Sequence, residues 1–120
     1  CFRGNGKTDI CIEQENRAAF VAECKIWKGP AKLRKAIRQL DGYLTWRDSK
    51  ASLIVFSKNK DFHSVVSSVR ACLEKDELFR SLREITKNEF DCVFASETNV
   101  GQLLRMRVFA FDVHGRPQAR

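Results

Sequence analysis

The segment 20–27, FVAECKIW, restricts the fold more than any other, because Glu23 and Lys25 interrupt an otherwise apolar run. Phe, Val, Ile and Trp are enriched in β-strands, so the run predicts a strand in the interior of a sheet. A side chain that ionises inside such a run is costly unless it is paired or binds a ligand. The two charged residues therefore need an explanation of their own.

Alternation along this strand separates its apolar and charged side chains. Successive strand residues point to opposite faces of a sheet, so Glu23 and Lys25 share one face. The other face, which is predicted to account for packing, consists of Phe20, Ala22, Cys24 and Ile26. The charged face has two interpretations: a salt-linked pair on a solvated strand face, or part of a functional site.

Hydrophobic periodicity predicts a mixed α/β domain. An antiparallel hairpin is expected over 8–27, and the helix that follows it allows a crossover into a parallel strand pair. Strands are predicted over 8–14, 18–27, 51–58, 90–96 and 103–113, and helices over 31–47, about 61–74 and 76–86. We expect these elements to form a single domain over 1–113, followed by a flexible polar tail over 114–120.

Composition narrows the class of protein. With 22 Lys and Arg against 15 Asp and Glu, the 120 residues carry a formal net charge of +7, which suits a polyanion partner such as nucleic acid without requiring one. No apolar run approaches the ~20 residues of a spanning helix, so no membrane association is expected. Five cysteines without close pairs do not resemble a disulfide framework or a zinc site, which predicts a reducing, cytoplasmic compartment.

Asp9 gives the charged face of the strand a partner. It lies at the start of the preceding strand, and the hairpin would bring it across from Glu23. Two neighbouring carboxylates repel each other, and a hard divalent cation relieves that repulsion by accepting oxygen ligands. Lys25 beside them would orient or help activate a water bound at the metal. Asp9, Glu23 and Lys25 are therefore candidates for a metal-assisted hydrolysis site. If Glu23 and Lys25 are instead a salt-linked pair on a solvated face, Asp9 is only a turn residue.

Three short motifs follow one another in the chain: GKTDI at 6–10, ECK at 23–25 and QLDGY at 39–43. Together they resemble the PD-(D/E)xK nuclease superfamily, which has the restriction-endonuclease-like fold. The resemblance covers about residues 6–58, in the order strand, strand, helix, strand. It implies a mixed sheet with an antiparallel hairpin, a crossover helix and flanking helices.

The resemblance also implies roles for individual residues. Asp9 and Glu23, with the backbone carbonyl of Cys24, would bind Mg²⁺, with Mn²⁺ as an alternative ion. Lys25 would position or activate the attacking water, and Gln39 would hold the lysine or the strand that is cut. The implied reaction is hydrolysis of DNA phosphodiester bonds.

The helix after the hairpin offers a surface for nucleic acid. At 100° per residue, Lys32, Lys35, Gln39 and Tyr43 fall on one flank beside the apolar stripe, and Lys28 just precedes them. Lysines there would contact phosphates, and Gln39 and Tyr43 would position the strand by hydrogen bonds. Gln39 and Tyr43 also match the Gln-x-x-x-Tyr motif of the superfamily branch that includes recombination nucleases. The alternative is a solvated helix face.

Two departures from the superfamily qualify the resemblance. Thr8 stands where the motif has proline, and only eight residues precede Asp9. The N-terminal core helix of the fold is therefore expected to be missing from this chain, with any metal ligand that it carries. We expect a nuclease domain of a longer protein in restriction, phage defence or DNA processing. The alternatives are a catalytically incomplete binding module of the same fold and an RNA-directed nuclease; a homodimer is left open.

Overall fold

A computed structural model describes residues 2–3, 6–7, 10–14, 17–43, 50–98 and 100–115, with side chains from Val21 onward except that of Tyr43. Helix α1 spans Pro30–Tyr43 and helix α2 spans Phe62–Lys75. The strands are β1 Phe2–Arg3, β2 Gly6–Lys7, β3 Ile10–Gln14, β4 Arg17–Ile26, β5 Lys50–Ser57, β6 Phe79–Thr86, β7 Glu89–Ala95 and β8 Leu103–Asp112.

Six strands form one mixed sheet in the order β3-β4-β5-β8-β7-β6. The central strands β4, β5 and β8 are parallel, and the outer pairs β3–β4, β8–β7 and β7–β6 are antiparallel. Helix α1 forms the crossover between the parallel strands β4 and β5. The α/β class, the hairpin and the crossover are thus confirmed. No helix within the described residues has the length and apolar character needed to cross a membrane.

The hydrophobic core lies between one face of this sheet and both helices. Residues three and four apart on an amphipathic helix share a face, which explains the buried stripes of α1 and α2. The sheet contributes Val21, Leu53, Val55 and Val108, and the helices contribute Leu33, Ile37, Leu40, Val65, Val69 and Leu73.

The core lies on the same side of β4 as the two charged residues. Strand register places Glu23 beside Leu53 and Lys25 beside Val55, both on the helix-covered face. Ile26, on the opposite face, is 42 % exposed. The expectation that the even-numbered side chains of this strand face the core was therefore wrong. Both faces of this central strand carry apolar residues, so alternation alone could not decide; the register of β4 with β5, which sets Glu23 beside the buried Leu53, fixes which face packs under α1.

The segment predicted as a helical piece over 76–86 is instead mostly strand, since β6 pairs with β7 at the edge of the sheet. Its apolar residues Phe79, Leu82 and Ile85 recur every three positions, a spacing that favoured a helix. Two register shifts interrupt the pairing of β6 with β7, and such bulges disturb the two-residue alternation by which a strand is recognised. Pairing with β7 has overridden the local pattern.

An ion-pair network lies on the sheet face opposite the helices. Arg107 on β8 donates hydrogen bonds to Asp91 and Glu89 on β7, and Arg83 on β6 donates to Asp91 at 2.9 Å. The hydrogen bond from Arg107 is the main cause that holds the pKa of Asp91 below its ordinary value, and Arg83 adds to it. Four charged side chains from three neighbouring strands are thereby paired with one another.

This network predicts a pH-dependent contribution to stability. Asp91→Asn is expected to lower the free energy of unfolding by about 1 kcal/mol near neutral pH. Because the folded-state pKa is depressed, the contribution is complete above the unfolded-state value of about 3.9 and is lost as pH falls through the folded-state value. Urea unfolding at about pH 7 and about pH 3 measures it, and a penalty that is equal at both would contradict the assignment.

Candidate functional site

Glu23 and Lys25 form an ion pair of unequal exposure. Lys25 Nζ lies 3.6 Å from Glu23 Oε2, and the two side chains are 41 % and 5 % exposed. The carboxylate is thus buried on the helix-covered face, while the ammonium group reaches toward solvent. The salt link of the alternative interpretation is present, but Glu23 does not lie on a solvated strand face.

Lys25 lines a cleft of about 410 Å³ between the end of β4 and the first half of α1. We call this the basic cleft, because its lining includes Lys25, Lys28, Lys32 and Lys35, together with Gln39 and Trp27. Apolar residues, among them Leu33, Ala36 and Val55, also line it. Glu23 is not among the lining residues, so the buried carboxylate lies beneath Lys25 rather than on the wall.

The local sequence explains how these side chains converge. Gly29 adopts φ +102°, a backbone conformation that L side chains rarely adopt, so the chain turns sharply after β4. Pro30 then begins α1, a position where its fixed φ suits a helix and its missing N–H is not needed. The predicted flank of Lys32, Lys35 and Gln39 therefore lies along the cleft, and the first turn of α1 contains no acidic residue.

Asp41, within the QLDGY motif, has a structural position that sequence reasoning missed. It is 5 % exposed and accepts hydrogen bonds from Ser96 Oγ at 2.6 Å and from the backbone N–H groups of Glu97 and Thr98 at 2.8 and 3.0 Å. These bonds tie the C-terminal half of α1 to the connection between β7 and β8. An acidic residue beside a basic flank gave no signal of this role.

Two further contacts hold α1 in place. Arg38 Nη2 donates to Asp76 Oδ1 at 2.8 Å, and Asp76 is buried just beyond the end of α2. At the other end of α1, Cys72 Sγ donates to the carbonyl of Pro30 at 3.5 Å. The helix that carries the lysines is therefore fixed to α2 near both of its ends.

The structure describes only some of the other predicted site residues. Asp9 lies outside the described residues, and so does the side chain of Tyr43, which ends α1. Cys24 is half-buried and its side chain points away from the helix-covered face, so only its backbone carbonyl remains a candidate ligand. Across the described ranges, no group of three or more His, Cys, Asp and Glu side chains could hold a metal ion.

Comparison with protein-family models, with curated proteins and with solved structures finds no match for this chain in any of the three.

Proposed function

We propose that the chain is a metal-dependent nuclease domain that hydrolyses DNA phosphodiester bonds in restriction, phage defence or DNA processing. The observation that carries the proposal is the position of Lys25, which joins the buried carboxylate of Glu23 to the basic cleft. A carboxylate, a lysine beside it and a lysine-lined cleft above them suit the metal-assisted cleavage of a polyanion. The element order β3, β4, α1, β5 supports a restriction-endonuclease-like arrangement.

The proposed ion is Mg²⁺, with Mn²⁺ as an alternative. Its ligands would be Glu23, Asp9 and the backbone carbonyl of Cys24, an all-oxygen set of the kind that hard divalent cations prefer. Glu23 fits this role because a buried carboxylate gains most from a cation. When bound, such an ion lowers the pKa of a coordinated water and offsets charge on the phosphate.

The remaining steps belong to the chain's own side chains. Lys25 holds the attacking water or a phosphate oxygen through its Nζ hydrogens, close to Glu23. Lys28, Lys32 and Lys35 bind neighbouring phosphates as point charges, and Gln39 positions the strand or Lys25 through its amide. Water attacks phosphorus and releases a proton to solvent, the bond between phosphorus and the leaving oxygen breaks, and that oxygen takes up a proton from solvent.

One observation favours the second candidate, a binding module with incomplete chemistry. Glu23 is already salt-linked to Lys25 and does not line the cleft, so the cleft can hold phosphates without a metal ion. The two candidates share the binding surface and differ in whether wild-type protein cuts DNA when Mg²⁺ is added.

The binding surface common to both candidates can be tested by its dependence on salt. The double variant Lys32→Ala, Lys35→Ala is expected to weaken binding to any DNA sequence and to flatten log affinity against log salt by about one to two units on duplex DNA. Each lysine that contacts a phosphate releases counterions, which gives about 0.9 of slope per contact. Fluorescence anisotropy over a salt series measures the slope.

The matched control is Lys75→Ala, Lys87→Ala, which removes the same charge from exposed positions that do not line the basic cleft. It should leave the slope nearly unchanged. All four lysines are exposed, so each substitution should change the free energy of unfolding by less than about 0.5 kcal/mol, as thermal unfolding would measure. Equal slopes in the two double variants would mean that this flank of α1 is only solvated.

A further inference from the structure

We infer that the basic cleft takes a single-stranded polynucleotide and stacks one unpaired base on Trp27. The inference rests on the proposed function and specifies its substrate. It comes from a combination of residues in one cleft: four lysines, which suit phosphates, and an indole with an apolar floor, which suits the face of a base.

Trp27 is held in place independently of any ligand. Its backbone N–H donates to the carbonyl of Phe56 at 2.8 Å, which extends the pairing of β4 with β5 by one residue. The half-buried residue also packs against the hydrophobic core. An aromatic side chain that already packs against the core has little conformational freedom left to lose on binding, which favours stacking against it.

The arrangement favours an unpaired strand over a duplex. A duplex carries its phosphates on the outside and keeps the faces of its bases stacked within, so a duplex across the cleft would contact the lysines but not Trp27. A single strand can present a phosphate and the face of a base to the same cleft. The volume of about 410 Å³ lies at the lower end of the range of about 300–1,000 Å³ typical of small-ligand sites, which suits one nucleotide unit.

The experiment compares three DNA probes of equal charge: oligothymidylate, an oligomer of abasic sites and a hairpin duplex. Binding is measured by fluorescence anisotropy in EDTA, so that cleavage plays no part. We expect wild-type protein to bind oligothymidylate about tenfold more tightly than the abasic oligomer. Trp27→Leu should remove most of that advantage and leave affinity for the abasic oligomer and the duplex unchanged.

A second variant keeps the result interpretable. Trp27→Phe retains an aromatic ring in the same place and should keep most of the preference for oligothymidylate, even if Trp27→Leu weakens the fold. Oligothymidylate should also quench the tryptophan fluorescence of wild-type protein, and this quenching should fall in Trp27→Phe, where only Trp46 remains.

Three results would overturn the inference. The first is equal affinity of wild-type protein for oligothymidylate and the abasic oligomer, and the second is an equal loss of affinity for all three probes in Trp27→Leu. The third is displacement of bound oligothymidylate by a polyglutamate of the same charge as effectively as by unlabelled oligothymidylate. Cleavage assays with Mg²⁺ separate this outcome from failure of the proposed function. A protein that cuts DNA but lacks the base preference disproves only the stacking. A protein that shows the preference but never cuts retains the stacking as a property of a binding module.

Discussion

Replacement of Glu23 by glutamine is expected to reduce Mg²⁺-dependent DNA cleavage by more than about 100-fold while DNA binding persists. Glutamine keeps the shape of the side chain but removes the negative charge that would hold the cation. Binding should survive because the basic cleft is lined by lysines and does not include Glu23. Cleavage of labelled DNA in Mg²⁺, set beside affinity in EDTA, separates the two properties.

The matched control is Glu74→Gln, which removes the same charge from an exposed position on α2. The loss in Glu23→Gln should not come from unfolding, since the side chain of Lys25 is 41 % exposed and its charge remains hydrated when its partner is gone. A fully active Glu23→Gln variant would remove Glu23 from the chemistry. Wild-type protein that binds DNA but does not cut it would favour the binding module.

The composition and periodicity of the sequence were sufficient to predict most elements near the site. The hairpin, the crossover helix and the central strand came from alternation and from the helical stripe of Leu33, Ala36, Ile37 and Leu40, and the structure has all of them. The grouping of Lys32, Lys35 and Gln39 on one flank could also be predicted from the sequence, because it depends only on the rotation per residue of an α-helix.

What the sequence could not provide was the side of the sheet on which the helices pack. Val21 and Glu23 alternate with Ala22 and Cys24, and both sets contain residues that suit a sheet interior. The register of β4 with β5 decides between them, since it sets Glu23 beside the buried Leu53, and register is not contained in the local sequence of β4. Glu23 is consequently buried at 4 % exposure instead of lying on a solvated face.

Long-range pairing accounts for the remaining differences. Strand β6 has a helix-like spacing of apolar residues and becomes a strand because β7 is available to pair with it. Asp41 binds residues 96–98, more than fifty positions away, so no local pattern could reveal its role. The predicted meeting of Asp9 with Glu23 involves a residue outside the described ranges and stays a prediction.

Two ion pairs of almost equal length are expected to differ severalfold in their contribution to stability. Arg38 and Asp76 are 2.8 Å apart with side chains 22 % and 1 % exposed, whereas Arg70 and Glu84 are 2.9 Å apart and 42 % and 48 % exposed. Asp76→Ala should lower the free energy of unfolding by about 3 kcal/mol, because it leaves a partly buried guanidinium without its closest carboxylate. Glu84→Ala should lower the free energy of unfolding by less than about 1 kcal/mol, since the charged groups of both Arg70 and Glu84 are hydrated.

Double-mutant cycles on each pair, followed by urea unfolding, isolate the pairwise energies from other losses. This separation matters for Asp76, whose Oδ1 also accepts a hydrogen bond from the backbone N–H of Leu78 at 2.9 Å. A larger coupling energy for Arg38 with Asp76 than for Arg70 with Glu84 would show that burial determines the strength of these pairs and that this contact fixes α1, and with it the basic cleft. Equal coupling energies would mean that the helix is held by its apolar stripe and by Asp41 instead.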